Sequence, residues 1–119
     1  MKYMLLIYQN PTAWAEFGDA ERHGLMDEAG VIVNELIASG EFVGGQGLAQ
    51  PSMAKSIRVR DGLPAVTDGP FAEAKEQFVG YCIFDCATEE RALEIAVRWP
   101  DARYWGVELR PLDGLDEAG

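Results

Sequence analysis

The sequence predicts an α+β fold, and three observations carry that prediction. Segments 2–8 and 77–85 are strand-like and apolar on both faces. Segments 19–39 and 88–99 carry apolar residues at helical spacing behind capping residues. An Asp61-Gly62 pair lies between two β-like runs. In chain order the elements read β–α–β–hairpin–β–α–β, which is the ferredoxin-like sandwich with an inserted β-hairpin.

The opening strand covers Lys2–Tyr8, with Tyr3, Leu5 and Ile7 on one face and Met4, Leu6 and Tyr8 on the other. Asn10 followed by Pro11 starts a short helix that Gly18 ends. Asp19 caps a longer helix through about Ser39, closed by Gly40, with Leu25, Ala29, Ile32 or Val33, and Leu36 as its core stripe. Glu41–Leu48 reads as a strand whose Gly44, Gly45 and Gly47 point to a bulge or a close backbone approach. Ser56–Arg60 and Leu63–Thr67 form the hairpin, with Ile57 opposite Val66 and Val59 opposite Pro64.

Gln77–Asp85 follows as a strand with Phe78, Gly80, Cys82 and Phe84 on one face and Val79, Tyr81 and Ile83 on the other. Thr88 caps the last helix, Leu93, Ala96 and Val97 form its stripe, and Pro100 ends it. Tyr104–Arg110 alternates as a final strand, with Trp105, Val107 and Leu109 on one face, and 113–119 is an acidic tail. One helix layer covers one sheet face only. The two doubly apolar strands therefore call for a second cover, expected to be the sheet of another subunit.

The chain has 119 residues, enough for one domain. Ten basic against twenty acidic residues give a net charge of −10, which opposes a phosphate backbone and argues against nucleic-acid binding. No apolar run is long enough to span a membrane, and the N-terminal segment lacks the long apolar core of a signal peptide, so the expected setting is the cytoplasm. Cys82 and Cys86 stand ~13 Å apart along an extended strand, beyond disulfide reach. With one distant histidine they do not make a metal set, and neither a metal nor a cofactor is expected.

The run Asp68-Gly69-Pro70-Phe71-Ala72-Glu73-Ala74-Lys75-Glu76 is the most specific motif. It closely resembles the signature of the DGPF-type YCII-related family, with Ala74 where threonine is usual. Gln77–Tyr81 and Val107–Pro111 resemble that family's glycine-tyrosine and closing strands, and the similarity spans about residues 1–112. The resemblance implies a homodimer in which two four-stranded sheets face each other as a dimeric α/β barrel. Other groups with this barrel include cofactor-free monooxygenases, small-ring isomerases and ligand-sensing domains, so the fold leaves the activity open. The resemblance also implies a regulatory setting, with an extracytoplasmic-function sigma factor as a protein partner.

Asp68 is the leading candidate for chemistry: a carboxylate at the mouth of a stiff turn, whose pKa an apolar pocket would raise for general-base work. The alternative is a carboxylate that bonds only within its own turn. Tyr81, on a strand expected to be buried, and His23, paired at i, i+4 with Asp27, are the candidate assistants. An ordinary core tyrosine and an exposed, inert His–Asp pair are the competing readings. Asp68, Phe71, Lys75 and Tyr81 would shape a ligand pocket, and Arg58 and Arg110 would hold an anionic group. Lys75 and Glu73 are otherwise solvated, Lys55, Arg58 and Arg60 otherwise protect a hairpin edge, and Arg110 otherwise pairs with Glu108. Trp14, Trp99 and Trp105 are core or interface anchors, or line an aromatic cavity.

Two functions follow. One is a homodimeric module that binds a small organic ligand or a protein partner in a regulatory setting. The other is a cofactor-independent lyase, isomerase or oxygenase with Asp68 as base.

Overall fold

A computed structural model describes residues 1–71 and 74–114. Its strands are β1 (Lys2–Gln9), β2 (Phe42–Gly47), β3 (Lys55–Arg60), β4 (Leu63–Asp68), β5 (Gln77–Asp85) and β6 (Val107–Pro111), and its helices are α1 (Pro11–Glu16), α2 (Asp19–Ser39) and α3 (Glu89–Arg98). Four strands form an antiparallel sheet in the order β2-β5-β1-β6, and β3 and β4 form a separate two-stranded sheet. This is the α+β arrangement of a ferredoxin-like fold with an added hairpin. The four-stranded sheet is open within one chain.

Local chemistry explains the helix bounds. Asn10 Oδ1 accepts from the Ala13 amide at 3.1 Å and starts α1 ahead of Pro11. Thr88 caps α3, its hydroxyl accepting from the Arg91 amide at 3.1 Å. Gly40, at φ 80°, takes the left-handed conformation that ends α2. The cap of α2 differs from the expectation: Gly18 is the cap and Asp19 is the first helical residue. The Gly18 amide donates to Glu21 Oε1 at 3.1 Å, so a side chain reaching back from the first turn does the capping.

The core lies between the helices and one sheet face. Tyr3, Leu5 and Ile7 of β1 and Cys82 and Phe84 of β5 pack against Ile32 and Leu36 of α2. The expected stripe of α2 is observed. That of α3 is observed only at Ala96: Ala92 and Ile95 are buried with it, while Leu93 and Val97 are 49% and 75% exposed. The reason is rotational. With Trp99, those buried positions make the i, i+3, i+4, i+7 stripe that meets the sheet, and Leu93 and Val97 lie off it.

A second difference concerns β5. The pairing passes from Ile7↔Gly80 to Tyr8↔Phe78, so Val79 is an extra, bulged residue. The bulge reverses the alternation. Val79 turns to the core, and the Phe78 ring lies 5.8 Å from that of Tyr8 on the opposite face. The last strand also begins later than expected. Tyr104 and Trp105 belong to a turn that follows a 3-10 segment, Pro100–Arg103.

Glycines on β2 act as the sequence indicates. A Cβ on Gly45 would lie 2.8 Å from the Tyr81 carbonyl oxygen, so only glycine fits this approach. The register also slips between Phe42 and Gly44.

The hairpin has the expected register, with Ile57↔Val66 and Val59↔Pro64. Asp61 and Gly62, at φ 52° and 76°, make the left-handed turn that matches strand twist. Its apolar side is uncovered: Ile57, Val59 and Val66 are 57–63% exposed. The opposite face of the main sheet is uncovered too. It carries Met4, Leu6 and Tyr8 beside Phe78, Tyr81 and Ile83, all only partly covered or exposed.

The molecule is flat, with extents of 47 × 45 × 18 Å. Its radius of gyration is 16.4 Å, against about 13–14 Å for a compact chain of this length. A two-layer plate with an arm-like hairpin accounts for the difference.

Candidate functional site

A concavity with a volume of about 380 Å³ lies between α2, the end of α1 and the helix-facing side of the sheet. Trp14 comes from α1, Leu25, Ala29 and Val33 from α2, Phe42 from β2 and Val79 from the bulge of β5. Trp99 and Asp101 enter from the turn after α3, and Gln9 from the end of β1. The bulge matters here, because it sends Val79 rather than Phe78 to this side.

Asp101 is the chemically distinctive group. Pro100 stops α3, and the Asp101 carbonyl then accepts three amides, from Tyr104, Trp105 and Gly106, at 3.0–3.2 Å. Gly106 at φ 96° allows the chain to turn back into β6. So clamped, Asp101 is only 6% exposed. Its Oδ2 accepts from Gln9 Nε2 at 3.1 Å and from Trp105 Nε1 at 2.8 Å. No donor to Oδ1 is found among the described residues. Trp105 in turn packs against Trp14 and Phe17, with ring centroids at 6.2 and 5.7 Å. Arg22 holds this corner together by donating to the Trp14 and Phe17 carbonyls at 3.0 and 2.6 Å.

Of the site residues expected from sequence, Tyr81 borders this cavity and the others fall elsewhere. Asp68 ends β4 with its side chain 82% exposed, ion-paired with Lys55 and away from the cavity. Among the described residues its side chain makes no bond within its own turn. That turn is held by the Gly69 amide on the Ala54 carbonyl at 2.8 Å and by Ser56 Oγ on the Gly69 carbonyl at 2.7 Å. Phe71 is 68% exposed. The Arg58 guanidinium sits 5.0 Å above its ring, so these two are brought together, beside a shallow depression of about 160 Å³. Lys75 lines a different open depression with Pro70 and Gln77. His23 is exposed on α2, as is Asp27.

Tyr81 is half-buried on β5, opposite Leu6 and Gln46. Arg110 pairs with Glu108 at 3.6 Å on the open sheet face, and the Tyr8 hydroxyl donates to Glu108 at 3.3 Å. Burial, followed by the Glu108 carboxylate, raises the Tyr8 phenol above its ordinary pKa. Asp68, Tyr81 and His23 therefore stand on three elements without a shared hydrogen bond. Glu73 and residues 115–119 lie outside the described residues.

Cys82 and Cys86 are free and buried, and burial pushes the Cys82 thiol up to about 11. Among the described residues no three His, Cys, Asp or Glu side chains converge as metal ligands. No helix there is long and apolar enough to cross a membrane.

Asp101 and Gln9 were not legible as site residues. An acidic residue after a helix-ending proline looks like any turn, and only the fold brings it beside a strand end far away in sequence. The tryptophans were visible as anchors, and two of them line the cavity.

The model of the YCII-related domain matches residues 1–112. The chain belongs to the YCII-related domain family. A relative in Rhizobium meliloti (strain 1021), itself uncharacterised, is 29% identical over 114 residues, covering 94% of this chain and 92% of its own. As a YCII-related domain the protein thus has an assigned family and fold, and its activity has to be argued from its geometry.

Proposed function

We propose that this YCII-related protein is a homodimer, its two open sheet faces packed together as a barrel, that binds a small organic ligand in a regulatory setting in the cytoplasm. The observation that carries the proposal is the apolar sheet face that the chain's own helices leave uncovered. Met4, Leu6, Tyr8, Phe78, Tyr81 and Ile83 share it, with Glu108 and Arg110 toward the β6 edge. A monomer exposing so continuous an apolar surface is unusual. Four strands and an eight-residue β1 define a face of about 500 Å² per protomer. Two such faces bury about 1,000 Å², the threshold of a specific interface, and the exposed apolar side of the hairpin would extend it.

The cavity on the other side of the sheet supports the ligand-binding part. The regulatory part, with an extracytoplasmic-function sigma factor as partner, draws its support from the family resemblance of the DGPF motif. The exposed Lys55–Asp68 ion pair gives general-base chemistry no support.

Light scattering after gel filtration tests the dimer. Wild type is expected at twice the 13.1 kDa of one chain, and Leu6→Glu, which places a charge in the centre of the face, at the single-chain mass. A wild-type mass of one chain at micromolar concentration would sink the dimer. A thermal-shift screen of small organic compounds tests binding, and a screen in which none raises the melting temperature would sink that part.

A further inference from the structure

We propose that the cavity under α2 takes a small molecule with an apolar ring body and one hydrogen-bond donor, an amine or a hydroxyl, which Asp101 receives. The inference rests on the ligand-binding part of the function proposed above. It is independent of the dimeric part, because the cavity lies on the helix-facing side of the sheet and the proposed interface on the opposite face.

Size and wall chemistry set the body of the ligand. The volume of about 380 Å³ is at the lower end of the ~300–1,000 Å³ typical of small-molecule sites. Trp14, Trp99, Leu25, Val33 and Val79 provide apolar and aromatic surface. Such walls suit a single ring, and the indole faces also favour a cationic group.

The polar groups set the rest. Gln9 and Asp101 are the polar side chains suited to fix an orientation, since Gln46 pairs with Tyr81 and shares its opposite face, and no lysine, arginine or histidine lines the cavity. A carboxylate ligand would find no cation there and would face the Asp101 carboxyl. A donor fits instead. Asp101 is 6% exposed, and both bonds it receives end on Oδ2. Among the described residues no fully buried side-chain oxygen lacks a partner, so Oδ1, which receives no protein donor, stays in reach of solvent as an acceptor that a ligand donor can take up.

The mouth is kept open by missing side chains. Gly45 and Gly47 lie on the β2 edge, and Gly30 lies in the middle of α2. A Cβ on Gly30 would meet nothing within 4 Å, so helix packing does not require glycine there. The same open space makes a plug possible.

Calorimetric titration of the full chain at neutral pH with 2-phenylethylamine, 2-phenylethanol and 3-phenylpropionate tests the proposal. The amine and the alcohol are expected to bind, with the propionate at least about tenfold weaker than the amine. Asp101→Asn is expected to weaken the amine about tenfold and to remove its advantage over the propionate. Because that variant removes a structural acceptor, Gly30→Leu serves as the second. It is expected to melt no lower than wild type and to lose the donor probes by more than about tenfold through occlusion. Leu6→Glu is expected to bind the amine as wild type does.

The proposal is overturned if the propionate binds as tightly as the amine, if Asp101→Asn keeps the preference, or if Gly30→Leu binds normally. It is also overturned if neither donor probe binds at millimolar concentration. Should another compound class raise the melting temperature while these probes fail, the ligand class proposed here is wrong and the ligand-binding function stands.

Discussion

Glu41 and Arg91 make a less exposed two-pronged pairing than Arg103 and Glu28. The Arg91 guanidinium donates through Nε at 3.1 Å and through Nη2 at 2.9 Å, a contact that ties the start of β2 to α3. Arg91 and then the Ser39 hydroxyl hold the Glu41 carboxyl below its ordinary pKa. A carboxyl with a depressed folded-state value stabilises the fold above its unfolded value of ~4.3, and the effect is lost as pH falls through the folded value. Arg91→Ala is therefore expected to lower stability at pH 7 by about 1–2 kcal/mol. It should also flatten the fall in stability between about pH 4.5 and pH 3, measured by urea unfolding across that range. An equal loss at pH 3 and pH 7 would show that the contact acts by packing alone. Cys82 gives a second expectation. Its thiol is pushed up to about 11 and it is 2% exposed. At pH 8 it should resist thiol reagents until the chain unfolds, and rapid labelling of native protein would contradict its placement.

At the scale of elements, the helix ends were mostly legible, with the cap of α2 and the start of β6 as exceptions. Asn10-Pro11, Thr88 and Gly40 carry short-range chemistry that needs no tertiary context, and each does in the structure what its type suggests. The Asp61-Gly62 turn also set its hairpin register correctly, because the turn itself defines which residues face each other. The errors have a different origin. In α3, Leu93 and Val97 were assigned to the core on hydrophobicity. The ten-residue helix instead turns Ala92 and Ile95 inward beside the expected Ala96, a choice made by what the sheet can accommodate. The bulge at Val79 was not read from the sequence, although Gly80 stands beside it, because the strand's alternation looked unbroken. On the neighbouring strand, Gly45 yields a direct test. Gly45→Ala would place its Cβ 2.8 Å from a backbone oxygen, and a loss of about 1–3 kcal/mol is expected as β2 shifts from β5. Chemical denaturation measures it, and an unchanged midpoint would mean that the edge strand yields freely.

For the molecule as a whole, charge and shape pull in opposite directions. A net charge of −10 per chain opposes association, while the uncovered apolar face and hairpin favour it. Dimerisation is thus expected to tighten as salt screens the repulsion, from ~10 Å screening at 0.1 M to ~4–5 Å at 0.5 M. Sedimentation at the two salt concentrations reads this directly, and dissociation at high salt would instead indicate an interface made by charge pairs. The sequence by itself determined the α+β class, the element order, the caps at Asn10, Thr88 and Gly40 and the doubly apolar central strands, since these follow from local periodicity and turn chemistry. Only the tertiary structure decided where a site lies. It put Asp68 on the exposed end of a hairpin and drew Asp101 to Gln9, 92 positions away. A residue's chemical role depends on which distant groups desolvate and bond it, and those neighbours exist only once the chain has packed.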